Sequence, residues 1–367
     1  MQKKLIALAV AGLVSVPAFA QSNVTIYGIV DMGYKYQGDN VADGVKSRNA
    51  IDSGISGGSR LGFRGTEDLG NGLKAGFVLE QGINVDDGSS AQGRTFGRQS
   101  FVSLSGGFGT VALGRQYTPA HALLAGNIDP FGLGKGTVGS IANFYISEAR
   151  LDNLAAYVSP NWGGFSVVAG YSFNAVGNEE SPRIKNVTPD DVRAWVIAPT
   201  YKNGPLYVGL NFHKLDPTTD GLDSTKVWDL GGTYDFGVVK VGAVYGQRKT
   251  DDVKVKQWAL TGAVPVGAAG KVQIGYGQRK IDVDVDGFDN PKVSQWALGY
   301  EHALSKRTAL YATYAQQNQN DEQEFLTANP VVLGVAHGFG AGIGDATENG
   351  AVGGYQRGFN VGVRHSF

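Results

Sequence analysis

The sequence predicts an all-β protein: a sixteen-stranded antiparallel barrel that crosses a membrane with strands. Three observations carry the prediction. Segments of strictly alternating apolar and polar residues recur along the chain, the period-two pattern of strands with one greasy and one wet face. Short and long connections between them alternate without exception. The chain also ends inside such a segment, "GFNVGVRHSF", where Phe359, Val361, Val363 and Phe367 oppose Asn360, Arg364 and Ser366.

The first twenty residues stand apart. Lys3 and Lys4 give a basic start, Leu5 to Val16 an apolar run, and Ala18 to Ala20 a small-residue cleavage site. Residues 1–20 are expected to be a signal peptide and 21–367 the mature domain. The apolar run is shorter than the roughly 20 residues a helix needs to span a bilayer, and no later stretch comes closer.

The strands follow in order. Over 24–36, Val24, Ile26, Val30 and Met32 face one way and Asp31 and Lys35 the other. Over 59–66, Leu61 and Phe63 oppose Arg60 and Arg64; over 73–83, Ala75, Phe77 and Leu79 oppose Lys74 and Glu80. The segments 98–105, 109–115 and 152–158 read as strands of ambiguous parity, followed by 165–173 and 191–201. The clearest pattern is in 206–213, where Leu206, Val208, Leu210 and Phe212 alternate with Tyr207, Gly209, Asn211 and His213. Strands are expected at 225–236, 238–248, 255–264, 270–280, 293–302, 308–317 and 355–367, with Lys240, Arg248, Lys271 and Arg279 on polar faces. Trp195, Trp228, Trp258 and Trp296 fall where interfacial girdles belong.

Seven connections are tight and built from turn residues: "TEDLGNG", "GGF", "PNWGG", "KNGP", "DFG", "PVGAAG" and "LSKR". Eight longer ones are centred near residues 47, 90, 134, 183, 219, 252, 287 and 336. An even-stranded barrel explains this order, with turns on one rim, loops on the other, and both termini on the turn rim. An open sheet edge is intolerable in hydrocarbon, so the last strand must pair with the first and stay strand-like to its end.

Composition excludes several classes. There is no cysteine, hence no disulfide. Without Lys3 and Lys4, 30 basic residues face 33 acidic ones, which argues against a nucleic-acid binder. Glycine is abundant at 55 residues and aromatics make up 10%, yet mean hydropathy is −0.14, the dilution that alternation produces.

Four stretches carry a family resemblance: "SRLGFRGTEDLGNGLKAGFVLEQG" (59–82), "GRQSFVSLSGGFGTVALGRQYTP" (97–119), "RLDNLAAYVSPNWGGFS" (150–166) and the terminal "VGVRHSF". The chain resembles the Gram-negative general diffusion porins of the beta-proteobacterial type over essentially its whole mature length. The resemblance implies a homotrimer in the outer membrane, among lipopolysaccharide and outer-membrane lipid, passing small hydrophilic solutes and ions. It also implies that Phe367 belongs to the signal read by the barrel-insertion machinery. No cofactor, metal or nucleic acid is implied, and no enzymatic activity.

The readable strands give the lumen a basic lean: Arg60, Arg64, Lys74, Lys240, Lys271, Arg279 and Arg364 against Asp31, Glu80, Asp229 and Glu301. By resemblance, the connection 116–151 folds into the barrel. Its "NIDPFG" is similar to the Pro-Glu-Phe-Gly motif of enterobacterial porins, although here the acid, Asp129, precedes the proline. The same resemblance would place Arg115 and Arg150 beside Arg60 and Arg64, with Asp129 and Glu148 opposite. A narrow wet passage between low-dielectric walls focuses such charges, so weak, salt-dependent anion selectivity is expected. The plainer alternative is that these arginines only pair with carboxylates in the wall, and acidic outer loops could oppose the preference.

Other motifs weigh less. "GISGG" (54–58) fits G-x-S-x-G, but Ser56 precedes a strand instead of following one. "GKGTVG" (134–139) lacks the strand and helix that give a phosphate loop meaning. Asp282, Asp284 and Asp286 begin a calcium-loop pattern whose twelfth position is Val293, and a solvated loop is the simpler reading. Residues 331–354, rich in Gly and Ala, read as an external loop. The competing functional readings are a substrate-specific porin and a receptor or adhesin barrel.

Overall fold

Seventeen strands pair edge to edge without a break in a computed structural model that describes residues 23–40, 46–133, 137–140, 146–175, 177, 191–219, 221–251, 253–282, 290–319 and 354–367. They are β1 (Asn23–Asn40), β2 (Arg48–Ser53), β3 (Arg60–Gly70), β4 (Leu73–Gly82), β5 (Gln99–Gly106), β6 (Gly109–Tyr117), β7 (Arg150–Val158), β8 (Phe165–Ser172) and β9 (Val192–Asn203). The second half comprises β10 (Leu206–Pro217), β11 (Thr225–Asp235), β12 (Lys240–Thr250), β13 (Val253–Val266), β14 (Gly270–Asp282), β15 (Lys292–Ala303), β16 (Thr308–Gln319) and β17 (Tyr355–Ser366). Each pairs antiparallel with the next along the chain, except that β2 and β3 both pair with β1, and β1 closes the ring on β17 from Ile29↔Ser366 to Asn40↔Tyr355.

The barrel nevertheless has sixteen staves. β2 and β3 both pair with β1, over Met32–Gln37 and Asn23–Ile29 respectively, so they are two halves of one stave. This corrects the expected start of the second strand at 59 and the loop centred near residue 47. The break is the turn 54–59, begun by Gly54 at φ +67° and held from inside the barrel. The Asp31 carboxylate accepts N–H bonds from Ser56 (3.0 Å) and Gly57 (2.7 Å). A run containing three glycines lets backbone replace side chain at this inner surface.

Other differences are local. The β3–β4 turn is tighter than "TEDLGNG" suggests, because β3 runs on to Gly70 and only Asn71 (φ 53°) and Gly72 (φ 77°) turn the chain. Both central residues have positive φ, as a two-residue turn matched to strand twist requires. In the ambiguous strands, Val102, Leu104, Val111, Leu113 and Tyr157 prove to be outward and exposed. A bulge between Gly114 and Gln116, with Asn153 opposite at φ 48°, breaks the alternation there.

The apolar surface lies outside. Leu230, Leu260, Ile274 and Leu298 alternate with the buried Asp229, Thr261, Gln273 and Gln295. An aromatic belt encircles β11–β16, with Trp228–Tyr245, Trp258–Tyr276 and Trp296–Tyr314 in tilted contact at 5.4–5.5 Å. Trp195 belongs to the same face and packs on Tyr171 at 4.5 Å.

The last residue is built into the closure. Phe367 and Gly28 exchange both backbone hydrogen bonds at 3.1 Å. A Cβ on Gly28 would stand 2.4 Å from the Phe367 ring and 2.6 Å from the Arg60 carbonyl oxygen, so glycine makes room for the terminal aromatic.

Residues 1–20, expected to be a signal peptide, lie outside the described residues, as do 134–136 of "GKGTVG", Asp284, Asp286 and all of 331–354 except Gly354. Asp282 pairs with Lys256 (2.6 Å) and Lys280 (3.1 Å). No group of three metal-ligating side chains occurs among the described residues.

Candidate pore constriction

The connection between β6 and β7 enters the barrel, and its neck is closed by two bonds. Thr118 donates its N–H to the Ala149 carbonyl at 3.0 Å and its hydroxyl to the Glu148 carbonyl at 2.6 Å. A helical turn over Ala120–Ala125 and Gly126–Ile128 then carries the chain across to the far wall.

Docking there uses small wall residues. Ile128 packs against Val244 and Ala259; a Cβ on Gly231 would fall 2.6 Å from its tip. Phe131 packs against Val138, Ala297 and Ala315, and Cβ atoms on Gly275 and Gly299 would meet its ring at 3.1 and 3.0 Å. Barrel side chains satisfy the loop backbone in sequence along the wall. Lys240 donates to Asn127 O (3.2 Å), Thr261 to Ile128 O (2.7 Å) and Gln295 to Val138 O (3.2 Å). Gln273 donates to Pro130 O, and Asn360 accepts from Val138 N at 3.3 Å.

The turn 54–59 completes the seat. Thr137 donates its hydroxyl to Ile55 O, and the Ser56 hydroxyl reaches Phe131 O at 3.4 Å. Ser56 also accepts from Arg364 Nη1 at 2.6 Å. A guanidinium and a peptide carbonyl supply no general base, so Ser56 does not form a nucleophile pair.

The opposite wall, on β1 and β3–β7, carries the basic residues. Arg98 Nε donates to Glu80 Oε1 at 2.8 Å, and Tyr27 Oη donates to Glu80 Oε2 at 2.9 Å. Arg60 is anchored by Gly58 O at 2.8 Å and lies within electrostatic reach of Arg98, Glu80 and Arg150. Tyr117 lies between two guanidiniums, Arg150 at 4.6 Å from its ring centre and Arg98 at 5.8 Å, and accepts from Arg150 Nη2 at 3.2 Å. Arg64 covers the Tyr27 ring at 5.0 Å and is exposed to the lumen. Three arginines are thus braced by two phenol rings, and Arg60 by a backbone carbonyl, beside a single carboxylate.

His121 stacks on Tyr117 at 4.9 Å, where the inner loop leaves the wall. Burial, followed by the charges of Arg150, Arg98 and Arg60, pushes its pKa down to about 3.

The residues singled out in the sequence are therefore divided. Arg60, Arg64, Arg150 and Glu80 stand together, joined by Tyr27, Arg98 and Tyr117, which sequence reasoning missed. Arg98 begins an expected strand of ambiguous parity, and the two tyrosines carry no charge to draw notice. Arg115 lies just beyond this group, bonded to Gly97 O (2.7 Å) and paired with Asp152, which also holds Arg94 at 2.6 Å. Asp31 is not a pore acid facing the arginines: besides the turn 54–59 it binds Tyr311 Oη, at full burial.

Asp129 is also turned away from the lumen, accepting from Phe131 N (2.9 Å) and Ser140 Oγ within its own loop. With the proline after the acid, the side chain closes a turn in place of pointing outward. Glu148 is bound by Arg248 and His213, each at 2.7 Å, on the loop-bearing wall. Lys74 faces inward at the turn rim, opposite Asp68, three inward positions from Glu80.

A closed barrel with an apolar exterior, a polar interior and a loop fixed across its lumen defines a transmembrane channel of the outer-membrane type. The chain belongs to the Gram-negative porin family, whose family model matches residues 7–322. It is 38% identical to "Outer membrane porin protein 32" of Delftia acidovorans over the full length of both chains. It is 34% identical to an outer membrane porin protein of Bordetella pertussis, covering 92% of this chain and all of that one. Among solved structures, the "Anion-selective porin from Comamonas acidovorans" superimposes with a TM-score of 0.76 at 34% identity, covering 95% of this chain and 100% of that chain. The protein is an outer-membrane diffusion channel for small hydrophilic solutes.

Proposed function

We propose that Arg60, Arg64, Arg98 and Arg150 form one side of the pore constriction and give the channel a weak preference for anions. The observation that carries this reading is the imbalance of four guanidiniums beside Glu80, three of them held over Tyr27 or Tyr117 and Arg60 by Gly58 O. Stacked planar guanidiniums keep donors available to a passing ion while losing little entropy. The acids of the far wall are already occupied near the loop, Glu148 by Arg248 and His213 and Asp229 by the Ser147 and Gln257 donors. The structural neighbour from Comamonas acidovorans is itself anion-selective, which agrees with the sign.

Two further assignments belong to the same reading. The outward face of β2–β6 contains no tryptophan and presents Ile51, Val102 and Leu113, and we assign it to contacts in a homotrimer. Phe367, with its cleft at Gly28, serves as the assembly signal for the barrel-insertion machinery. The test is current through the refolded protein in a planar bilayer under a salt gradient. Conductance steps in threes and a reversal potential of anionic sign are expected; single steps overturn the trimer, and a cationic sign overturns the arginine assignment.

A further inference from the structure

We propose that His213 and Glu148 are positioning residues of the channel: they latch the returning arm of the inner loop to the far wall, and the latch tightens when His213 takes up a proton. The inference rests on the channel reading and on the inner loop, not on the sign of the selectivity.

Three consecutive loop residues meet polar side chains from three strands. Ile146 O accepts from Arg248 Nη1 of β12 at 3.2 Å, and the Ser147 hydroxyl donates to Asp229 Oδ2 of β11 at 2.8 Å. Glu148 Oε1 accepts from the same Arg248 nitrogen at 2.7 Å, and its Oε2 lies 2.7 Å from Nε2 of His213 on β10. The Glu148 carbonyl is bound at the neck instead, accepting the Thr118 hydroxyl at 2.6 Å. Thr118 follows Tyr117, and Arg150 stands two residues beyond Glu148. The latch therefore holds the base of the Arg150–Tyr117 stack from across the lumen.

The bonds around the buried His213 ring define its proton count. Nδ1 lies 3.4 Å from Asn211 Nδ2, a donor, so the ring is neutral and its Nε2–H donates to Glu148. Asn211 Oδ1 is buried without a partner among the described residues. A proton arriving on Nδ1 finds that acceptor once the amide turns over. The turn gives up the 3.3 Å bond from Asn211 to Asp229, whose carboxyl keeps Ser147 and Gln257 (3.1 Å). Both N–H groups of the cation then have acceptors, which offsets its burial. The bond to Glu148 becomes charge-assisted, about twice as strong as its neutral counterpart.

The groups facing the ring favour that step. The loop supplies Glu148, β11 supplies Asp229 and β12 supplies Arg248. On β9 the inward neighbours are Ala194 and Val196, both buried and apolar. The helical turn Ala120–Ala125, packed against β10, has only His121 to titrate, and that ring stacks on Tyr117. Two carboxyl groups thus oppose one guanidinium around a side chain of the type that changes charge between about pH 5 and 8.

The test is single-channel recording of the refolded protein in a planar bilayer from about pH 5 to 8, with the rate of brief partial closures as the readout. In the unaltered protein that rate should be about 5-fold lower at the acid end, as a strengthened bond to Glu148 predicts. His213→Gln keeps a neutral donor for Glu148 but cannot gain the charge, so its rate should stay at the alkaline level throughout. Glu148→Gln removes the carboxylate and should be equally flat. His302→Gln, which alters a histidine at the turn rim, should keep the profile of the unaltered protein. Heat-modified electrophoretic mobility shows that each barrel is folded; if His213→Gln does not fold, Glu148→Gln carries the comparison. A rate in the unaltered protein that ignores pH or rises towards acid overturns the proposal. So does a pH profile that survives in His213→Gln or Glu148→Gln, the result a purely structural role would give, or one that is lost in His302→Gln. The reversal potential in the same recordings tests the arginine assignment separately.

Discussion

Replacing Arg64 tests the electrostatics of the pore with little disturbance of the wall. Its guanidinium covers Tyr27 at 5.0 Å, is exposed to the lumen and forms no ion pair among the described residues. With an effective dielectric constant of about 40, an ion passing about 8 Å away interacts by ~1 kcal/mol, and one Debye length of screening at 0.15 M reduces this to ~0.4 kcal/mol. Arg64→Gln removes this attraction for an anion and an equal repulsion for a cation, so the anion-to-cation permeability ratio falls about 4-fold. Arg64→Glu doubles the change in charge and lowers the ratio about 15-fold. At 1 M salt, where the Debye length is about 3 Å, the same charge reversal should alter the ratio less than about 2-fold. Reversal potentials at the two salt levels read both numbers. An unchanged ratio at low salt removes Arg64 from the selectivity mechanism. A shift that persists undiminished at 1 M means the substitution reshaped the pore, and the electrostatic account fails.

Phe131→Ala empties the seat between Gly275 and Gly299 and should weaken inner-loop docking by about 3 kcal/mol, visible as noisier current and faster proteolysis of the loop. Asp31→Ala leaves the N–H groups of Ser56 and Gly57 and the hydroxyl of Tyr311 unpaired, at a local cost of about 2–3 kcal/mol. It should raise open-channel noise without reversing selectivity, since Asp31 does not face the arginines. His121, at about 3 when folded and about 6.5 when unfolded, takes up a proton on unfolding between those values. Its contribution to stability is therefore present above pH 6.5 and lost as pH falls towards 3. His121→Gln should flatten thermal stability measured from about pH 7 to 4, while both proteins carry the same current from about pH 8 to 5.

Much of the barrel was legible because a membrane strand reports its two environments residue by residue. Leu206 to His213 could be assigned to faces from alternation alone, and so could Lys240 and Arg279, since lipid and lumen demand opposite chemistry at successive positions. The turn rim was legible for the same reason that Asn71 and Gly72 stand there: positive φ restricts the residues that fit. Where alternation fails, so did the reading. The 114/116 bulge with Asn153 hid the direction of Arg115 and Arg150, and the inward turn 54–59 passed for an outer loop.

Strand number, the closing pairing of the last strand with the first, and the faces of the regular strands all follow from local rules. Those rules are a pleat of period two, backbone groups that must be paired in hydrocarbon, and glycine where φ turns positive. Which charges meet is settled instead by contacts between distant segments. Asp31, Asp129 and Glu148 are acidic in sequence but occupied in the fold, by a turn, by their own loop and by Arg248 with His213. Arg98, Tyr27 and Tyr117 join Arg60 and Arg150 from four different strands and a connecting segment, at separations of up to 123 positions along the chain. The strength of a charge in the lumen depends on what lies within a few ångströms of it, and in a closed barrel those neighbours come from register, bulges and an inner loop that no local pattern encodes.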